Sequence, residues 1–168
     1  MSMAIIVQGS MHLKQYLPPL HMTLMKLLVD GTSRALRVRT GQVFARIAPI
    51  HHRLEQLQSD LVATLKPGAP SHEDAGVRET SAGALRMVLA AAGTLLSPAA
   101  RKSLLVLLLA SLSAPTSGLG SPPFTVTADD ATRVQLAAAI GALAAAFPRD
   151  TPADNPELSA LLSFILAG

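Results

Sequence analysis

One spacing pattern occurs three times in this chain and constrains its fold more than any other feature. An Arg is followed at +4 by a small residue and at +7 and +10 by apolar ones. The copies are Arg37, Gly41, Phe44, Ile47; Arg78, Ala82, Leu85, Val88; and Arg133, Ala137, Ile140, Leu143. Steps of three and four put all four residues on one side of an α-helix. The first two Arg residues are 41 positions apart and the next two are 55 apart. A repeat of roughly 40 residues with helical spacing inside each copy implies a stack of helix pairs, each burying its apolar face against the next. Such arrays present extended surfaces to other macromolecules and seldom perform chemistry.

The rest of the chain agrees with a single all-α array over residues 1–168. Hydrophobic residues make up 49% of it and aromatics only 3%, mostly through Ala and Leu, which favour helix over sheet. There is no Cys, which excludes disulfides and thiolate metal sites and fits a reducing, cytoplasmic setting. The longest apolar run, residues 104–112, is preceded directly by Arg101 and Lys102. It is about half of the roughly 20 residues a membrane span needs, so it reads as a buried helix. Residues 1–9 have a short apolar patch without a basic leader, so no signal peptide is assigned.

Helix boundaries follow from local chemistry. Pro18 and Pro19 suit a first helical turn, and residues 30–33 (Asp-Gly-Thr-Ser) form a turn with Ser33 as the next N-cap. The following helix carries Leu36, Val43, Phe44 and Ile47 and ends near Pro49, closing a first pair at about residues 14–50. The second pair, 53–93, has Leu54, Leu57, Leu61, Val62 and Leu65, a loop, and then an Asp74 cap before Val77, Leu85, Val88 and Leu89. Ser97-Pro98 opens the third pair, 97–147, whose second helix is capped by Asp129 or Asp130. The 14 extra residues before the third Arg fall in a Pro/Gly-rich insertion at 114–128. Asn155-Pro156 starts a half repeat at 155–168, and residues 3–7 resemble the tail of another helix, so both ends look cut from a longer array. The six Met residues read as core filler.

The repeated Arg stands at the start of each pair's second helix. The small residue one turn later admits a close neighbour, and the next two continue the buried stripe. Arg37, Arg78 and Arg133 are therefore expected to reach into the adjacent repeat as a structural ladder, with direct partner contact as the other role open to them. Charge is uneven around the first copy. Residues 1–53 hold Lys14, Lys26, Arg34, Arg37, Arg39, Arg46 and Arg53 against the single acid Asp30, giving +6 there and −3 in the remainder. That asymmetry points to an anionic partner or to a solvated face. Arg34 has no counterpart in the other copies, and Arg39 and Arg46 share a helix face. Arg34, Arg37, Arg39 and Arg46 are the candidate partner-binding residues.

No catalytic or metal constellation emerges. His51-His52 follows a Pro turn, and adjacent His residues on a helix point apart. The acid pairs Glu73-Asp74 and Asp129-Asp130 are explained by helix starts. Gly118 and Gly120 lack the strand and Lys of a phosphate loop. The chain is read as non-enzymatic, without cofactor, small-molecule substrate or membrane partner. Few aromatics argue against stacking on single-stranded nucleic acid.

Several segments resemble one family. Residues 74–80 (Asp-Ala-Gly-Val-Arg-Glu-Thr), 84–88 (Ala-Leu-Arg-Met-Val), Ala92-Gly93, Arg101-Lys102 and Leu107 to Leu109 look like the large HEAT-repeat translational activators of the general amino-acid control pathway, the stalled-ribosome sensors. Leu13-Lys14, Tyr16-Leu17-Pro18, residues 36–39, Thr132-Arg133 and Ile140-Gly141 are similar to flanking segments there, so the resemblance spans roughly residues 5–147. It implies a HEAT-repeat α-solenoid without catalytic activity. It also implies docking of the RWD domain of the initiation-factor alpha-subunit kinase, and ribosome association through the longer protein. A generic transport or phosphatase-scaffold array is the alternative. The chain departs from the family at Gln56, where a Pro is usual, and at 114–128, which replaces a short acidic turn. The family proteins are more than ten times longer, so contacts made elsewhere in them do not carry over.

Overall fold

The structure, a computed structural model, describes residues 15–66, 73–112 and 130–147. Those residues form six α-helices: α1 (Leu17–Asp30), α2 (Arg34–Ile47), α3 (Leu54–Ala63), α4 (Ala75–Ala92), α5 (Pro98–Leu112) and α6 (Asp130–Ala145), with one-turn 3-10 segments at Ala48–Ile50 and Gly93–Leu95. The insertion expected at 114–128, the half repeat at 155–168, the helix tail at 3–7 and the cap candidate Asp129 lie outside the described residues.

The starts are set locally. Pro18 and Pro19 occupy the first turn of α1, where a missing N–H costs nothing. The Asp74 carboxylate accepts hydrogen bonds from the Gly76 and Val77 N–H groups at 2.7 and 3.1 Å and so caps α4. Ser97 Oγ accepts from the Ala100 N–H at 3.2 Å, with Pro98 at the first helical position of α5. Ser33 sits at the N-cap of α2 with an extended backbone, but its hydroxyl makes no capping bond.

Helices of each pair pack together: α1 on α2, α3 on α4, α5 on α6. The second helices then lie side by side, with α4 between α2 and α6. This is an all-α HEAT-repeat solenoid. The position of α4 explains its burial pattern. It hides Val77, Thr80, Ala82, Ala84, Leu85, Val88 and Leu89 in several directions, whereas α2 buries only Arg37, Thr40, Gly41 and Phe44. One continuous core joins the pairs through Leu28, Phe44, Leu57, Leu61, Leu85, Leu89, Leu108, Leu136 and Leu143. Each is removed from water almost entirely, a contribution of about 1.5–3 kcal/mol for a buried Leu or Phe.

Close approach of α2 to α4 depends on Gly41. A Cβ there would stand 2.7 Å from the Met87 methyl and 3.3 Å from the Ala84 Cα. Two sequence expectations need correction. Leu36 and Val43 do not join the buried stripe; they are 41% and 36% exposed on the side of α2 away from Gly41. Met22 is not core filler, being 72% exposed on α1. No helix among the described residues is long and apolar enough to cross a membrane.

Candidate docking surface

The stack brings the Arg side chains of α2 into two different environments. Arg37, 8% exposed, lies in the seam between the first two repeats. Its Nη1 donates to the Gly31 carbonyl at 2.6 Å, and its Nε donates to Thr80 Oγ1 at 3.1 Å. It thus ties the turn of its own pair to α4 of the next. Arg34 also reaches α4. Its Nη2 and Nε donate to the two carboxylate oxygens of Glu79 at 2.6 and 3.0 Å, a bidentate pair. The Glu79 hydrogen bond, and then its charge, hold the Arg34 pKa above its ordinary value.

Arg39 and Arg46 face outward. Both are exposed, and Arg39 donates to Gln42 Oε1 within its own helix at 3.3 Å. Seven residues apart, they lie on one face, two helical turns from each other. The exposed apolar residues Leu36 and Val43 repeat the same spacing beside them.

The other repeated Arg residues differ from Arg37. Arg78 is half-buried on α4. Arg133 is exposed on α6, as is Ala137 one turn on, and neither meets a described neighbouring repeat.

Further polar links between repeats carry no signal in the Arg pattern. Arg86 Nε donates to Gln135 Oε1 at 3.0 Å, joining α4 to α6. Arg101 Nη1 donates to the Ala146 carbonyl at 2.6 Å, with its guanidinium 5.5 Å from the Phe147 ring centre. The Ser97 N–H donates to Glu55 Oε1 at 3.3 Å. Register would have disclosed two of the acceptors. Thr80 and Gln135 each stand two residues after a repeated Arg, at equivalent places on α4 and α6. Arg34, Gln42, Glu79, Gly83, Arg86 and Gln135 together line a shallow groove of about 240 Å³ along the second helices.

A histidine cluster, also unanticipated, occupies the seam between α1 and α3. His21 Nε2 comes within 3.0 Å of Asp60 Oδ2, a close contact rather than a directed hydrogen bond. The His21 ring meets His51 edge-on at 5.3 Å and Phe44 at 6.0 Å. His51 Nδ1 accepts the Arg53 N–H at 3.2 Å. Burial, then the His21 and His52 imidazoles, hold the His51 pKa below the ordinary histidine range. His51 and His52 do not diverge as helical neighbours would. Their rings stack within 9° of parallel, because the chain leaves the 3-10 turn after Pro49 with an extended backbone at His51. Among the described residues, no three His, Cys, Asp or Glu side chains converge on a metal-sized site.

The arrangement supports hydrogen bonding and charge recognition along helix faces, as expected of a HEAT-type scaffold. Comparison with known proteins gives the family. Residues 57–159 match the model described as stalled ribosome sensor GCN1-like HEAT repeats. The chain is 33% identical over 133 residues to the mouse protein named stalled ribosome sensor GCN1, covering 79% of this chain and 4% of that one. It is 32% identical over 150 residues to the human protein of the same name, covering 89% and 5%. It is also 33% identical over 97 residues to Protein ILITYHIA of Arabidopsis thaliana, covering 58% and 3%. No solved structure matches. The chain belongs to the GCN1-like HEAT-repeat family, and it spans about one-twentieth of the length of the human relative.

Proposed function

We propose that this chain is a non-catalytic, cytoplasmic docking segment in translational control, and that it binds the RWD domain of the initiation-factor alpha-subunit kinase. Ribosome association belongs, in this reading, to the longer protein of which such repeats form a part. Family membership and the names of the relatives support the setting. The observation that carries the docking site is the division of the α2 guanidiniums. Arg34 and Arg37 are engaged by Glu79, Thr80 and the Gly31 carbonyl, while Arg39 and Arg46 stand exposed on one face. The first two contribute by holding α2 in place, and the second two meet the acidic surface of the partner. Exposed charges of this kind act on association rate and specificity and are screened by salt.

The test is calorimetric titration of the chain with the kinase RWD domain at low salt. The wild-type chain binds, and Arg39→Glu combined with Arg46→Glu weakens binding about tenfold or more, as two attractive contacts become repulsive. Absence of binding, or an affinity unchanged by the double reversal, contradicts the proposal.

A further inference from the structure

Register shows what the exposed face of α2 is built to receive. The N-caps Ser33 and Asp74 are 41 positions apart, the same offset as Arg37 and Arg78, so α2 and α4 are equivalent residue by residue. The side of α4 that meets α2 presents Glu79, Thr80, Ala84 and Met87. Glu79 takes Arg34, Thr80 takes Arg37, and Ala84 and Met87 close over Gly41. The equivalent positions on α2 hold Val38, Arg39, Val43 and Arg46. On α6 the residue equivalent to Thr80 is Gln135, again an acceptor for an Arg of the preceding helix.

By position, then, the outer face of α2 is a stacking face, and its exposed Leu36 and Val43 fit that role. By charge it is inverted. Where α4 and α6 offer acceptors to an incoming Arg, α2 offers the Arg39 guanidinium. Where α4 has Met87, α2 has Arg46. A helix of the ordinary repeat type, approaching with its own Arg, would set like charges together in a partly desolvated seam. The preceding residues 1–14 contain no Asp or Glu and cannot supply a counter-charge.

We infer that the face formed by Leu36, Arg39, Val43 and Arg46 receives a partner protein's helix that carries two acidic side chains seven residues apart, with a small residue between them. The acids pair with Arg39 and Arg46, and the small residue sits over Val43, as Ala84 sits over Gly41. This deepens the docking reading above and rests on it, since it specifies the chemistry of the partner element at the same helix.

The probe is a helix-stapled, fluorescently labelled peptide with two Glu seven positions apart and Ala between them, titrated by anisotropy against the full chain. A Lys-for-Glu version and a peptide of residues 74–92, which brings the ordinary Arg78 face, serve as comparisons. The Glu peptide binds best, loses affinity as salt rises, and loses about tenfold when Arg39→Glu and Arg46→Glu are introduced. Val43→Asp has a similar effect with the helical circular-dichroism signal unchanged. Equal binding of the Glu and Lys peptides, no binding of either, or tighter binding of the 74–92 peptide overturns the inference. The two proposals fail separately. If the kinase domain depends on Arg39 and Arg46 while the peptides show no charge preference, only the inference about the partner helix falls. If the peptides discriminate and the kinase domain does not bind, only the choice of partner falls.

Discussion

Replacing Arg37 with Met removes the link between the first two repeats while keeping most of the side-chain volume. Arg37→Met deletes the donors to the Gly31 carbonyl and Thr80 Oγ1. Hydrogen bonds from a charged donor contribute about 1.5–3 kcal/mol each on deletion. Relief of the cost of burying the guanidinium returns part of that. Thr80 is not stranded, because its hydroxyl also lies 2.7 Å from the Gly76 carbonyl and 3.1 Å from the Val77 carbonyl. The net loss is therefore about 2–4 kcal/mol, or roughly 4–16 °C in Tm for a chain of this size. Urea unfolding followed by circular dichroism at the helical band measures it. A cycle with Thr80→Val isolates the seam, with an expected coupling of about 1 kcal/mol or more. A loss below about 0.5 kcal/mol, the range of ordinary surface substitutions, would refute the assignment of Arg37 to the stack.

The glycines of the second helices should respond in opposite directions. Gly141→Ala has open space and a helical backbone and should stabilise by about 0.5–1 kcal/mol, whereas Gly41→Ala presses on Ala84 and Met87 and should destabilise by about 1 kcal/mol in the same urea assay, despite the better helix propensity of Ala. Stability should also fall on acidification below about pH 6.5. His51 has a depressed pKa in the fold, so the unfolded chain binds its proton first, and the folded state loses ground until pH drops below the folded value. His51→Asn, which retains an acceptor for the Arg53 N–H, should flatten the pH dependence of the urea midpoint over that interval.

What could be read from residues alone depended on the range of the interactions. Pro18 and Pro19, the Asp74 carboxylate and Ser97-Pro98 act within one helical turn, so the starts of α1, α4 and α5 were legible before any neighbour was placed. The all-α solenoid followed from the Arg-centred period, because helical spacing and a roughly 40-residue repeat leave few other architectures. Links across the seams were not legible, since they join residues far apart in sequence. Arg34 and Glu79 are separated by 45 residues, Arg86 and Gln135 by 49. Whether such groups meet depends on how α2, α4 and α6 slide past one another. The same reason hid the cluster of His21, His51 and Asp60, which come from three different elements. Leu36 and Val43 misled because helical spacing identifies an apolar face without saying whether a described helix covers it.

The central claim is the division of labour on α2, with Arg34 and Arg37 serving the stack and Arg39 and Arg46 serving the partner. Arginine Nε–Hε signals in a ¹H–¹⁵N spectrum of the labelled chain report on it directly, recorded with and without the kinase RWD domain. The account predicts a slowly exchanging Arg37 signal that stays in place on titration, and Arg39 and Arg46 signals that exchange fast in the free chain and shift as the domain is added. A fast-exchanging Arg37, or a titration in which Arg37 shifts while Arg39 and Arg46 do not, would contradict it.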